Sequence, residues 1–508
     1  MYKSITSPLL ALICMVLIAC QPSSREGGTK QNTSQKTEDQ TISHTLDYIE
    51  LELENYEEWA ANIKNPQEVP ANITYFSSDK EVFSSPVGVR LSGIFIKKMP
   101  QKSISVEFSK KTYGSTKSKH NIWPNREYDD VDGFVIRAHG NPLKNTFYLD
   151  GLANLLLEEY TDLEYSSHEP VILYLNGKYQ GLFNLREKKN KDFINNLYDL
   201  GKENIELLEI TGGRANKVNQ NWLEMFNHCK NKDLTTAENY EFVKDRIDIE
   251  NFIDYHISET FLANIDWPMA NVKVWRKKGG KWRWLFFDCD RGLQNIKFNS
   301  LEHITGLNQW DKERVNARLN AASTMIRALM KNLAFREQFL IRYQDLLNSA
   351  FNPETSLALS KKLKTLIEPE VGRQISYWKD KKNEFSYNTV ESLSMWEENI
   401  GFQDRFLKER PKVIYKQLGD SYELGEIYTI SFEVEDKKQG KIKVNTAFLP
   451  KAKFVGKYFK NLPLSIEAVP ETGYNFDHWE GCDSKKKIIN PTSKSLQGKQ
   501  LKAVFVKV

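Results

Sequence analysis

Alternation of apolar and polar residues marks the first third of the chain. Val87 to Gly93 reads as a strand ended by glycine, and Lys102 to Phe108 alternates with period two as its partner. Gly133 to Arg137 predicts a further strand. Asn145 to Tyr160 then places Phe147, Leu152, Leu155 and Leu156 near helical spacing, with Asn145 as its expected cap. The run VILYL-NG-KYQGLFNL predicts a hairpin, because Asn176-Gly177 supplies the positive φ angles of a type I′ turn.

After Glu187 the pattern turns mainly helical. In Glu250 to Ala263 the residues Phe252, Ile253, His256, Ile257, Thr260 and Phe261 share one face, and Pro268 forbids simple continuation. Helical periodicity returns over 321–351, 354–379 and 391–418. From about Leu424 short alternating runs take over, among them Ile427 to Val434, Ile442 to Asn445, Leu464 to Val469 and Leu501 to Val506, separated by Gly, Pro and Asn turns. The expected class is α+β: a strand-rich part over 45–187, an α-rich part over 188–423 and an all-β module over 424–508.

The N-terminus changes where this fold is expected to reside. The run LLALICMVLIA is too short to span a bilayer and reads as a secretory signal over 1–19. Leu17-Ile18-Ala19-Cys20 resembles a bacterial lipobox, which implies cleavage before Cys20 and lipidation there. Residues 20–44 are polar and nearly free of aliphatic side chains, so they have little to bury and read as a flexible tether. The expectation is an exported lipoprotein at the outer membrane or cell surface. A net charge of +4 and the absence of a basic block within a nucleic-acid motif leave nucleic-acid binding without support. Cys229, Cys289 and Cys482 beyond the signal lack metal-ligand spacing.

The chemistry concentrates between Asn264 and Gly292. Asp266 and Asn271 are five positions apart; a strand, the turn Lys277-Lys278-Gly279-Gly280 and a second strand then deliver Asp288 and Asp290. Protein kinases use the same order, an Asp and an Asn in the catalytic loop, a hairpin and then a metal-binding Asp. Asp266 suits the carboxylate that faces an attacking hydroxyl. Asn271, Asp288 and Asp290 suit oxygen ligands for Mg²⁺ or Mn²⁺, Asp290 projecting beside Asp288 if the strand continues. The strand order before Glu187 likewise matches a kinase N-lobe. Lys98, Lys102 and Arg137 are its candidate phosphate-gripping cations; Arg137 stands in the order of the kinase β3 lysine, with Asp150 as a possible partner. Gly93 is a possible start for a phosphate-covering loop, and Glu187 a possible lining of the nucleotide pocket. His139 reads as a turn histidine, since no Ser/Asp pair or second ligand-spaced His accompanies it. Trp267, Trp275, Trp282, Trp284, Phe286 and Phe287 read as core packing ahead of a carbohydrate platform.

These residues resemble the CotH kinase family, the spore-coat protein H-like atypical secreted kinases. VRLSG followed by KKMPQKSISVEF, FVIRAHGN and NGKYQGLFNLREK are similar to its N-terminal motifs, while NIDWPMAN and FFDCDRG are similar to its N-x-D-x-x-x-x-N and W-D-x-D-x-x-x-G elements. The resemblance implies a two-lobed, ATP- and divalent-metal-dependent protein kinase with Asp266 as catalytic Asp, Asn271 and Asp288 as metal ligands and Asp290 as a supporting acid. Departures are Ile94 and Phe95 after the glycine, Pro142 after His139-Gly140-Asn141, and a shortened spacing from Asp290 to the following glycine. The tail motifs GYNFDHWEG and LKAVF resemble repeat-type β modules of bacterial surface proteins. Two other readings stay open: a non-catalytic surface binding or adhesion protein on a kinase-like scaffold, and metal-dependent hydrolysis at the same acids.

Overall fold

The computed structural model describes residues 44–508 apart from 116–120, 130, 140–142, 307–316, 387, 483 and 497. The signal, the Cys20 lipidation site and nearly all of the tether, like Gly140 to Pro142, lie outside the described residues. No helix among them is long and apolar enough to cross a membrane. The fold is mixed α+β.

Seven strands close into a barrel: β1 (Tyr48–Glu52), β2 (Val69–Ser77), β3 (Lys80–Leu91), β4 (Ile104–Glu107), β5 (Gly133–Arg137), β6 (Glu169–Leu175) and β7 (Lys178–Glu187). Their order is β1-β2-β3-β4-β5-β7-β6, and the parallel pairing of β1 with β6, Ile49 opposite Leu173, closes the ring. Alternation sends Ile49, Leu51, Ile73, Tyr75, Val87, Val89, Val106 and Phe134 inward to one core. The period-two reading located β3 to β7 in their chain order but not β1 and β2, so the closure of the ring is an addition to it. Asn176 and Gly177 make the expected turn, with φ of 49° and 71°.

Helix α1 (Leu149–Leu155) is shorter than the predicted 145–160. Asn145 does not cap it. Its Nδ2 donates to His139 O at 2.7 Å and its Oδ1 accepts from Phe147 N at 2.9 Å, and Phe147 then leaves helical geometry at φ 68°.

Beyond the barrel, β8 (Ile205–Thr211) and β9 (Arg214–Ala215) were not read from the sequence. They join β10 (Val272–Lys277) and β11 (Arg283–Leu285) in an antiparallel sheet ordered β11-β10-β8-β9. Helix α2 (Ile249–Leu262) runs into this region with Asp248 as its N-cap, the carboxylate accepting from Asn251 N. The one-faced pattern understates its environment: every residue of α2 but Glu250 is buried. The predicted helix over 321–351 is broken, with α3 covering Leu333–Leu347; α4 (Pro353–Trp378) and α5 (Leu393–Tyr422) pack on each other.

Trp267, Trp275, Trp282, Trp284 and Phe286 are all buried, Trp284 edge-on to Phe252 at 4.7 Å and Trp282 edge-on to Trp222 at 5.5 Å. They build core. The last strands, β12 (Ile427–Val434), β13 (Gly440–Val444), β14 (Ala447–Phe448), β15 (Lys453–Phe459), β16 (Ile466–Pro470), β17 (Tyr474–Glu480), β18 (Ile488–Ile489) and β19 (Gln500–Lys507), form two four-stranded sheets around a shared core. They are tied to α3, where Asp345 accepts from Thr446 N and Oγ1 and from Asn445 Nδ2.

Candidate active site

The end of α2 begins the site. Ala263 adopts the left-handed conformation at φ 54° and its N–H returns to Glu259 O, a glycine-free version of the common helix stop. Asn264 follows, its Oδ1 accepting from Asp266 N at 3.3 Å, and Ala270 N closes the next turn on Asp266 O at 3.2 Å. The loop thus holds Asp266 half-buried just beyond the helix. Burial, opposed by Arg291 and aided by Asp288, raises the pKa of its carboxyl.

Asn271 then enters β10 at φ 58°. The register of β10 with β11, Lys273 opposite Leu285, sets Asn271 and Asp288 at the same open end of the hairpin. The strand does not continue to Asp290, as the sequence expectation required: it ends at Leu285, and Asp288 adopts φ 59°. A turn, not strand alternation, brings the two acids together. Gly292 is required there, since a Cβ would stand 2.6 Å from Cys289 Sγ and 3.2 Å from Leu262 O. Leu293 N bonds Leu262 O at 2.7 Å, fastening the turn to the end of α2. Left-handed backbone at non-glycine residues costs on the order of 1–3 kcal/mol and gathers at functional sites, although Asn and Asp tolerate it best. Asn271 and Asp288 both carry it.

Arg137, the last residue of β5, joins barrel and turn. Its Nη2 lies 2.6 Å from Asp288 Oδ1 and 3.0 Å from Asp290 Oδ2, and its Nε is 3.9 Å from Asp150 on α1. Asp150 also meets Arg186 Nη2 at 3.1 Å and accepts the Cys289 N–H at 2.8 Å. One aspartate therefore grips both arginines and the middle of the acidic turn. Charge-assisted bonds of this kind are the strong ones, and together they fix the turn against the barrel.

The structure brings Asp266, Asn271, Asp288, Asp290, Arg137 and Asp150 to one region. It does not bring Lys102 or Glu187 into that cluster. The Lys102 ammonium donates to the backbone carbonyls of Lys97 and Met99 at 2.8 and 2.7 Å, with burial lowering its pKa. Glu187 takes Arg126 at both carboxylate oxygens, 2.8 and 2.9 Å, the Ser167 N–H at 2.8 Å and the Tyr128 hydroxyl. Lys98 stands over the Phe385 ring, and Gly93 is exposed at φ 84°. His139 is buried, bonded through Nδ1 to Asn184, and burial drives its pKa down to about 3, so it is neutral.

Three charged groups near the acids escaped the sequence reading. Lys273 follows Asn271 by two residues on β10; its ammonium donates to Lys189 O at 3.2 Å, stands 5.1 Å from the Phe287 ring centroid and lies within the field of Asp288. Period-two spacing from Asn271 was the available signal. Arg291 directly follows Asp290, and Arg186, on β7, was hidden within a hydrophobic strand.

Among the described residues no three His, Cys, Asp or Glu side chains are arranged as a metal site. The donor set at the acidic turn is two carboxylates, Asp288 and Asp290, with the Asn271 amide oxygen at the same end of the hairpin. Oxygen-only donors fit a hard divalent cation such as Mg²⁺ and not a thiolate-seeking metal.

No curated protein matches the chain. A family model described as CotH kinase protein matches residues 89–414, from within β3 to within α5 and across every site residue named above. By that match over well more than half of its length, the chain belongs to the CotH kinase family.

Proposed function

We propose that this protein is a lipid-anchored kinase of the bacterial cell envelope that transfers the γ-phosphate of ATP to a protein hydroxyl. In this reading the barrel is the N-lobe, the helical part is the C-lobe, and the C-terminal sheets are a separate adhesion or spacing module. Cys20 carries the anchor. The observation that carries the proposal is the meeting of Asp288 and Asp290 on one Arg137 nitrogen, with Asp266 and Asn271 at the same end of the hairpin.

Each residue has a separate task. Asp266 orients the attacking hydroxyl and receives its proton; the burial that raises its pKa makes it a better base than a free aspartate. Asn271, Asp288 and Asp290 would hold Mg²⁺ or Mn²⁺, which neutralises charge on the transferred phosphoryl group when bound. Arg137 and Lys273 add positive charge where phosphates must lie. Phosphoryl transfer asks mainly for alignment and electrostatics, which this set of groups can supply.

The test is incubation of the purified protein with labelled ATP, each divalent ion and envelope extract. Labelled protein should form with the wild type, be lost in Asp288→Asn, and be lost in Asp266→Asn while nucleotide binding persists. Full activity in either variant would reject the assignment. A second reading, a non-catalytic binding protein on the same scaffold, is favoured by one observation: Lys102 is spent on backbone carbonyls. Thermal-shift titration separates the two, because a scaffold without a nucleotide site gains no stability from ATP with Mg²⁺.

A further inference from the structure

Behind the acidic turn, the buried Glu259 Oε1 has no hydrogen-bond partner among the described residues, with Tyr255 and Trp267 beside it. Tyr255 and Glu259 are four residues apart on α2 and so share a face. The Trp267 ring packs edge-on to Tyr255 at 6.1 Å. Glu259 has no exposed surface, and its side-chain hydrogen bond comes from a neutral group, Asn264 Nδ2, at 3.0 Å. A carboxylate fully buried without a cation costs several kcal/mol, so the group is held as the neutral acid. Burial, opposed by the Asn264 bond and reinforced by the charges of Asp288 and Asp150, sets its pKa well above the usual range.

A neutral acid at this place has a defined use. Glu259 Oε2 accepts from Asn264 Nδ2, and Asn264 Oδ1 accepts the Asp266 backbone N–H. The carboxyl thereby fixes which way the Asn264 amide faces, and that amide fixes the backbone of Asp266. Packing alone does not explain the glutamate, because an apolar residue of similar size would fill the site without a desolvation cost.

We propose that Glu259 is a positioning residue, whose carboxyl locks the Asn264 amide and through it sets the backbone of Asp266. This rests on reading Asp266 as the catalytic aspartate for its kinetic consequence, but not for its structural one. Glu259→Gln keeps an acceptor toward Asn264 and a donor on the other side. Glu259→Leu fills the volume and releases the amide.

Two readouts in the full-length protein test the idea, one of which needs no catalysis. In Glu259→Leu, hydrogen exchange at the Asp266 amide should accelerate, while the melting temperature stays equal to or above that of the wild type. Phosphoryl transfer should fall about 10- to 100-fold in kcat with the KM for ATP unchanged, the scale expected when a reacting group is misplaced by about 1 Å. Glu259→Gln should match the wild type in both readouts. Asn264→Ala should reproduce the exchange change, and the double variant with Glu259→Leu should add nothing further. Unaltered Asp266 exchange in Glu259→Leu, or a Gln variant as impaired as the Leu variant, overturns the proposal. A melting temperature lowered together with kcat would assign Glu259 to structure alone and also overturn it. If the wild type transfers no phosphate, the kinase reading fails and the exchange data still decide this one. If Glu259→Leu does not fold, exchange in Asn264→Ala and Glu259→Gln decides it.

Discussion

Arg137→Met keeps the length of the side chain and deletes its charge, so it isolates what the guanidinium does for the acidic turn. One nitrogen holds Asp288 at 2.6 Å and Asp290 at 3.0 Å, and the side chain is 30% exposed. At an effective dielectric of about 20, a contact at 4 Å is worth about 4 kcal/mol of Coulomb energy before any desolvation cost. Breaking a fully buried pair costs ~3–5 kcal/mol; solvent access at Arg137 and Asp288 reduces this to about 2 kcal/mol. Asp150 keeps Arg186 and the Cys289 N–H, so the turn should stay attached to the barrel and the fold should survive. The assay is thermal unfolding in low salt, where a loss of this size lowers the melting temperature by about 2–4 °C. A second arm adds Mg²⁺: the variant lacks the guanidinium that competes with a cation for Asp288 and Asp290, so the ion should stabilise it more than the wild type. An unchanged melting temperature, or an equal Mg²⁺ response in both proteins, would refute the reasoning.

Arg410→Met should cost ~3–5 kcal/mol. The fully buried guanidinium donates to Phe261 O, Thr260 O, Ile296 O and Phe298 O at 2.7–2.9 Å, which ties α5 to the end of α2 and to the segment after the acidic turn. Denaturant unfolding checks it, and a loss under about 1 kcal/mol would show that the carbonyls find other donors. Burial, with Asp47 adding and Lys362 opposing, pushes the Glu169 carboxyl up to about 7 from 4.5. A raised carboxyl pKa means the folding penalty is absent below about 4.5, grows through the interval and is complete above about 7. Glu169→Gln should therefore be more stable than the wild type by on the order of 1–2 kcal/mol near pH 8 and equal to it near pH 4.5, as read by unfolding across that range.

Much of the fold was written locally. The Asn176-Gly177 turn, the alternation of β5 and β7, and the C-terminal strands need only neighbours in sequence to be recognised. β1 and β2 alternate too, with Ile49, Leu51, Ala71, Ile73 and Tyr75 inward, but the pairing of β1 with β6 that closes the ring joins segments far apart in the chain, which no local period records. The α2 pattern named a face, but its burial on nearly all sides depends on elements far along the chain. In the site, the order of Asp266, Asn271, Asp288 and Asp290 marked the hairpin end at which they stand. The partner of two of them, Arg137, lies some 150 residues away, a distance only motif order can bridge. Lys102 shows the limit of that method: a long flexible side chain can turn to the nearest carbonyls, and no spacing rule records the choice.

The ring of strands sets a practical boundary. The family match begins at residue 89, inside β3, yet β1 and β2 are staves of the same barrel and Ile49, Leu51, Ile73 and Tyr75 fill its interior. A fragment cut at the family boundary would leave β6 without β1 and only a stub of β3, exposing unpaired backbone and an uncovered apolar lining. Such open borders invite strand pairing between molecules. Expression of the family-matched part alone therefore needs the forty-odd residues before the match as much as the residues within it.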